Sequence, residues 1–215
     1  MRKTVLTAVA GIGMAALSPA ANASVTIVNG SFENGAVDPG GFFTPVASGD
    51  STSIAGWTVG GSGVDYIGGY WQPEDGKRSI DLSGGAPGSI SQLISGLTSG
   101  QVYDISFWLS GNPDGGSTTK VGTVSGGTAQ SFSYTLSGTN SLSNMNWKEF
   151  HYVFTALGAT ALLTFSSGTG DAYGPALDNV SIAAVPEPAT WGMMILGFGL
   201  AGGAMRRRSR KLATA

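Results

Sequence analysis

Short segments with a two-residue hydrophobic period, separated by turn-forming residues, occur throughout the central part of this 215-residue chain. Within 102–109, Tyr103 and Ile105 alternate with Asp104 and Ser106, and segments 150–156 and 161–165 alternate in the same way. A two-residue period is typical of a β-strand with one buried face. No stretch between residues 24 and 184 has a convincing helical period. The pattern therefore predicts an all-β fold.

The segments between these strands are rich in turn-forming residues, as at 73–76, 111–115 and 168–170. The chain has 35 glycines, well above the usual share of about 7%. Many short strands at close spacing are typical of an antiparallel β-sandwich, here predicted as a jelly roll over residues 24–184. That length suffices for one domain with a sizeable core. The chain has no cysteine, which excludes disulfides and thiol chemistry.

The N-terminus has the pattern of a signal peptide over residues 1–23. Arg2 and Lys3 precede an apolar run at 5–17, which is too short for a lasting membrane span. We expect export by the Sec machinery, with an uncleaved anchor as the alternative. The predicted cleavage site comprises Ala21, Ala23 and Ser24.

The C-terminal segment 185–211 begins with prolines, continues with an apolar run and ends with basic residues. The run 189–205 carries no charge and is at the short end of what spans a bilayer. The basic cluster 206–211 would stay on the cytoplasmic side. We therefore predict a transmembrane helix over 189–205 that tethers the domain outside the inner membrane.

This tail resembles the PEP-CTERM protein-sorting signal of Gram-negative bacteria. The resemblance implies recognition by exosortase, cleavage near the motif, and sorting to the cell surface or extracellular matrix. The alternative is an ordinary single-pass anchor. The matching residues are Pro186, Glu187, Pro188, Trp191, Arg206, Arg207 and Arg208.

The domain between the two targeting segments is acidic. Four basic residues stand against twelve acidic ones between residues 24 and 184, a net charge of −8. Nucleic-acid binding requires a basic face, so we expect no nucleic-acid partner. The charge is compatible with calcium and with neutral sugars.

The domain's opening segment 28–35 and closing segment 174–182 resemble those of the choice-of-anchor C family. That family is related to plant cell-wall domains of unknown function and to galactose-binding-like carbohydrate modules. The resemblance extends over 25–182. It implies a jelly roll and polysaccharide association, with no settled activity.

In similar carbohydrate modules the opening and closing segments meet in space. The resemblance then implies that Glu33 and Asp178 supply carboxylate oxygens to a structural Ca²⁺, which takes six to eight oxygen ligands. The alternative is that Glu33 caps a turn and Asp178 is an exposed residue at a strand end.

A loop-rich segment near residue 70 contains candidate sugar-binding residues. Aromatic rings stack on the apolar face of a pyranose, and carboxylates and amides bind its hydroxyls. Alternatively, these rings close one end of the sandwich as core. The candidates are Asp65, Tyr66, Tyr70, Trp71 and Gln72. By contrast, Trp57, Trp108 and Trp147 lie in strand-like runs and are expected in the core.

No pattern in the chain indicates an enzyme or a catalytic cofactor. His151 is the single histidine, no Gly-x-Ser-x-Gly motif occurs, and no histidine and cysteine cluster could hold zinc. We interpret the protein as an exported, non-catalytic module that associates with exopolysaccharide in a biofilm matrix. One alternative is an adhesive protein with exposed strand edges and no aromatic platform. The other is a glycan-active enzyme with two carboxylates about 5–10 Å apart in a cleft.

Overall fold

A computed structural model of the protein describes residues 25–186, 192–202 and 206. The described residues form eleven β-strands. These are β1 (Phe43–Val46), β2 (Thr58–Gly61), β3 (Val64–Ile67), β4 (Ser79–Asp81), β5 (Gly88–Ser95), β6 (Val102–Gly111), β7 (Thr119–Ser125), β8 (Ala129–Thr135), β9 (Lys148–Thr155), β10 (Thr160–Ser167) and β11 (Pro175–Ala184).

The strands form two antiparallel sheets that pack face to face. One sheet has the order β1-β3-β4-β11-β6-β9, and the other has the order β2-β5-β10-β7-β8. Most neighbours in a sheet are not consecutive in the chain, because the chain passes repeatedly from one sheet to the other, as in jelly rolls. The predicted antiparallel β-sandwich is therefore confirmed. The alternating segments became β6, β9 and β10, each with alternating burial.

Aromatic rings from both sheets fill the space between them. Phe107 of β6 meets Phe165 of β10 edge to face, with 5.0 Å between ring centroids. Trp57 is buried beside them, as expected from the sequence, and its indole N–H donates to the carbonyl of Asn29 at 3.0 Å. Edge-to-face contacts of this kind add to the free energy that area burial alone provides.

The opening segment of the domain joins its last strand. The backbone N–H of Val180 in β11 donates to the carbonyl of Gly30 at 2.9 Å. The two segments therefore meet in space, as the resemblance implied.

The targeting segments are only partly described. Residues 192–202 are helical, and no helix within the described ranges is long and apolar enough to cross a membrane. The predicted transmembrane helix over 189–205 is therefore not confirmed, since a spanning helix needs about 20 apolar residues. The signal peptide and its cleavage site, Ala21, Ala23 and Ser24, lie outside the described residues, as do Glu187, Pro188, Trp191, Arg207 and Arg208.

Candidate functional site

Two loops cover part of the outer face of the six-stranded sheet. One is the β3–β4 loop (68–78) and the other is the β8–β9 loop (136–147). The N–H of Gln72 donates to the carbonyl of Leu142 at 2.8 Å, and the indole N–H of Trp147 donates to the carbonyl of Gln72 at 3.0 Å. These two bonds hold the loops side by side on the sheet.

A pocket of about 270 Å³ opens where the two loops meet β6. Trp108 faces outward from β6, because its neighbours Phe107 and Leu109 face the core. We call this cavity the tryptophan pocket. It is lined by Gln72, Pro73, Glu74, Trp108, Asn144, Asn146 and Trp147.

The expectation that Trp108 belongs to the core is wrong, whereas Trp147 packs as a partly buried ring against a small buried cluster that contains Trp71 and Met145. Both rings are partly exposed, unlike the fully buried Trp57. The sequence carried the signal for Trp108, which alternates in register with Asp104 and Ser106 rather than with the buried positions of β6.

Buried polar groups hold the walls of the pocket in place. One carboxylate oxygen of Asp178 accepts the N–H groups of Glu74 at 2.9 Å and Asp75 at 3.1 Å. The side-chain amide of Asn179 donates to Glu74 at 2.7 Å. On the opposite wall, the hydroxyl of Tyr134 donates to the carbonyl of Asn146 at 2.6 Å. The pocket is therefore formed before any ligand arrives.

This set of side chains suits a polyhydroxylated ligand. Indole rings offer apolar faces, and the exposed amide of Gln72 offers both a donor and an acceptor. The carboxylate of Glu74 adds a charged acceptor, which binds hydroxyl groups strongly.

Of the five sequence-predicted site residues, Gln72 alone lines the tryptophan pocket. Tyr66 is buried in the core, and Trp71 is 3% exposed, with its indole N–H donating to the hydroxyl of Ser79 at 2.8 Å. The Trp71 ring therefore follows the alternative, in which it forms part of the core, and it is not free to stack on a sugar. Gly68 packs so tightly that a Cβ there would lie 2.2 Å from the carbonyl oxygen of Gly40, and this close approach folds the loop onto the sheet.

Tyr70 belongs to a separate aromatic cluster at the edge of the six-stranded sheet. Its ring lies 4.9 Å from Phe42 and 5.2 Å from Phe43. Its hydroxyl donates to the carboxylate of Asp114, and this hydrogen bond raises the pKa of Tyr70 to about 12. Phe42 is 56% exposed, and sequence reasoning missed it because it was not near the other candidates in the chain.

Glu33 and Asp178 hold a loop rather than form an obvious calcium cage. One oxygen of Glu33 accepts the N–H groups of Lys77 at 2.7 Å and Arg78 at 2.9 Å, so Glu33 caps a turn. Asp178 is fully buried, not exposed at a strand end, and it accepts three backbone N–H groups. A Ca²⁺ ion here would face N–H donors, so these residues fit the ion poorly. Among the described residues, no group of three or more His, Cys, Asp or Glu side chains could hold a metal.

A carboxylate pair on the neighbouring strands β3 and β4 is closed to a substrate. Asp65 of β3 and Asp81 of β4 are cross-strand partners, and burial raises the pKa of Asp65 to about 6 and that of Asp81 to about 7. Asp81 is only 1% exposed, and the side-chain amide of Asn112 donates to it at 2.9 Å. A glycosidase needs both carboxylates at the scissile bond, and Asp81 is too deeply buried to reach one.

His151 also lacks catalytic surroundings in the described part of the chain. Its Nδ1 lies 2.9 Å from Asp104, and its Nε2 lies 3.9 Å from Glu149. Ser106 is its cross-strand partner, but the Ser106 hydroxyl bonds Ser181 at 2.8 Å. The ring therefore bridges two carboxylates and activates no nucleophile.

The buried acids predict that the protein becomes less stable as pH rises. Burial raises the pKa of Asp81 to about 7 and that of Asp178 to about 8, against an ordinary value of 3.8. The native state then retains protons that the unfolded state has lost, so this stabilisation is complete below about pH 4 and is lost as pH rises through 7 and 8. We expect the melting temperature to fall by roughly 5 °C or more between pH 5 and pH 9. Asp81→Asn should reduce the fall in melting temperature as the pH approaches 7. A wild-type melting temperature that does not change with pH would contradict the raised pKa values.

The fold and its pocket define an antiparallel β-sandwich module. Residues 25–183 match the family described as "Protein of unknown function (DUF642)", and the chain belongs to that family. Residues 184–209 match the PEP-CTERM protein-sorting motif, which confirms the resemblance seen in the tail. This motif indicates an exported protein that is processed by an exosortase.

One relative and two solved structures illustrate what the domain is similar to. Halomucin from Haloquadratum walsbyi is 38% identical over 167 residues, which are 75% of this chain and 2% of halomucin. A family 61 carbohydrate-binding module in complex with β-1,4-galactotriose is 19% identical, with a TM-score of 0.45, over 61% of this chain and 90% of the module. A family 16 carbohydrate-binding module is 17% identical, with a TM-score of 0.44, over 73% of this chain and 98% of the module. At these scores the structural likenesses carry no conclusion about a ligand.

Proposed function

We propose that the protein is an exported, exosortase-processed protein of the cell surface or extracellular matrix that binds polysaccharide without cleaving it. The observation that carries this proposal is the tryptophan pocket, in which two partly exposed indole rings stand beside an amide and a carboxylate. In the proposed course of sorting, the tail tethers the protein to the inner membrane until the exosortase acts. Its destination is the polysaccharide matrix of a biofilm.

The size of the pocket favours one unit of a glycan chain as the group bound. Sites for drug-sized ligands run from about 300 to 1,000 Å³, and this cavity is about 270 Å³. It lies on an open sheet face, so the rest of a chain could continue past it. Stacking on Trp108 or Trp147 would hold a pyranose ring, and Gln72 and Glu74 would select its hydroxyl groups.

Charge favours a neutral polysaccharide. The domain carries a net charge of −8, and the pocket itself contains the carboxylate of Glu74. A polyanionic chain would meet repulsion from both, most strongly at low salt.

Affinity electrophoresis tests this proposal directly. We expect the protein to be retarded in native gels that contain neutral polysaccharide from its own host. Trp147→Ala and Gln72→Ala should each reduce this retardation by about tenfold or more in apparent affinity, through lost stacking and lost hydrogen bonds. Phe42→Ala is the matched control, since Phe42 is an exposed ring outside the pocket.

Two results would count against the proposal. Absence of retardation with every host polysaccharide would remove glycan binding. Loss of retardation in Phe42→Ala, with Trp147→Ala unaffected, would move the site to the aromatic cluster around Tyr70.

A further inference from the structure

The two sheets end in four edge strands, and three of these are protected against pairing with another chain. Strand β1 has four residues, one of which is Pro45. Strand β2 also has four, and hydrogen bonds of 2.8 Å from Gly49 to Val59 and from Val59 to Asp50 cover its edge. Strand β9 begins with Lys148, Glu149, Phe150 and His151, of which three are charged or titratable. Short length, proline, covering segments and charge are the usual protections of edge strands.

Strand β8 has none of these protections. Its seven residues, Ala129–Thr135, contain no charged side chain and no proline, and β7 is its single partner among the strands of the described residues. Side chains on its outer face are small and hydroxyl-bearing, as at Ser131 and Ser133, and both are exposed. Within the described ranges, no backbone group from another segment bonds its outer edge.

The ladder with β7 shows which backbone groups of β8 are free. The N–H of Leu136 donates to the carbonyl of Thr118 across this pair at 2.8 Å, so even-numbered residues bond toward β7. Odd-numbered residues therefore direct their N–H and C=O groups away from the sheet. These residues are Ala129, Ser131, Ser133 and Thr135.

We propose that β8 pairs antiparallel with β8 of a second copy of this chain and joins the two five-stranded sheets into one. An antiparallel pair of identical strands has two-fold symmetry, so the contact closes at a dimer. Centred on Phe132, it places Ser131 opposite Ser133 and Ala129 opposite Thr135, so every outward-directed backbone group meets a partner. No like charges face each other between the two β8 strands. The rest of the domain is acidic, so contacts between two copies at other surfaces would meet charge repulsion.

This inference is independent of glycan binding. If both hold, each dimer carries two tryptophan pockets and can cross-link polysaccharide chains. Two linked sites also bind a polymer more tightly than one, without any new contact to the sugar.

Light scattering on the processed, exported protein tests the inference across concentrations from about 1 to about 100 µM. We expect a reversible dimer that tightens with added salt, because salt screens repulsion between the acidic domains. Ser133→Pro removes an outward N–H that the β7 ladder does not use, and it should weaken the dimer by about tenfold or more. The double variant Ser131→Lys, Ser133→Lys should do the same through like charges and leaves the backbone intact.

The matched control is Val153→Pro in β9. Its N–H also points away from the sheet, because Ala156 in the same ladder bonds Gln101 at 2.9 Å. This variant should dimerise like the wild type. A wild type that stays monomeric at all concentrations, or a dimer that both β8 variants leave unchanged, would overturn the inference. Equal loss in Val153→Pro would also overturn it.

Discussion

Gly30→Ala is expected to lower the free energy of unfolding by about 4 kcal/mol or more, among the largest effects that one substitution causes. A Cβ at this position would lie 1.9 Å from the carbonyl oxygen of Val180 and 3.0 Å from its carbon. Both are backbone atoms, so no side-chain rotation relieves the clash. The carbonyl of Gly30 also accepts the N–H of Val180. Moving the two segments apart to relieve the clash would therefore break the hydrogen bond that joins the opening segment to β11.

Urea unfolding followed by tryptophan fluorescence measures this effect. Gly158→Ala is the matched control, because a Cβ there would meet nothing within 4 Å and its φ is ordinary. That variant should unfold like the wild type or be slightly more stable, since alanine restricts the unfolded chain. If Gly30→Ala unfolds at the same urea concentration as Gly158→Ala, the close contact with β11 is not tight in solution.

The sequence predicted the long strands well because their burial pattern is local. In β6, β9 and β10 the alternation of side chains specifies which face is buried, whatever the rest of the fold does. The same alternation placed Trp108 on the outer face, beside Asp104 and Ser106. The expectation for Trp108 failed because residue type was given more weight than position in the strand.

The candidate site could not be predicted in the same way, because contacts between distant loops create it. Gln72 and Trp147 are far apart in the chain, and they meet through a hydrogen bond of 3.0 Å. Trp71 is buried in a loop that also packs closely against Gly40 at Gly68, which is a tertiary contact that no local pattern shows. The neighbouring residues Trp71 and Gln72 thus differ in exposure within one loop, since Trp71 is buried and Gln72 is exposed.

The opening and closing segments meet as the resemblance implied, but the partners of Glu33 and Asp178 were not predictable. The sequence gives no sign that Glu33 and Asp178 both receive backbone N–H groups from the same loop, 74–78. Calcium binding stays a prediction for these residues. The contacts favour a second explanation, in which the two side chains hold the loop by accepting its backbone N–H groups, which have no backbone acceptor in the described part of the chain.

Asp178→Ala separates the two explanations and is expected to destabilise the protein by about 3 kcal/mol. It would leave the N–H groups of Glu74, Asp75 and Asn179 without an acceptor in a partly buried site. Because Glu74 lines the tryptophan pocket, glycan retardation should fall together with stability. Asp178→Asn keeps one side-chain oxygen as an acceptor and should recover part of both losses.

Chelation provides the decisive comparison for Asp178. If the carboxylate holds the loop by itself, EDTA leaves the urea midpoint of the wild type unchanged, and Asp178→Ala remains destabilised with or without added calcium. If Asp178 is a calcium ligand, EDTA lowers the wild-type midpoint toward that of Asp178→Ala, and calcium in excess restores only the wild type. We expect the first result, because backbone N–H groups already donate to this carboxylate. A cation would have to replace these donors at the carboxylate oxygens.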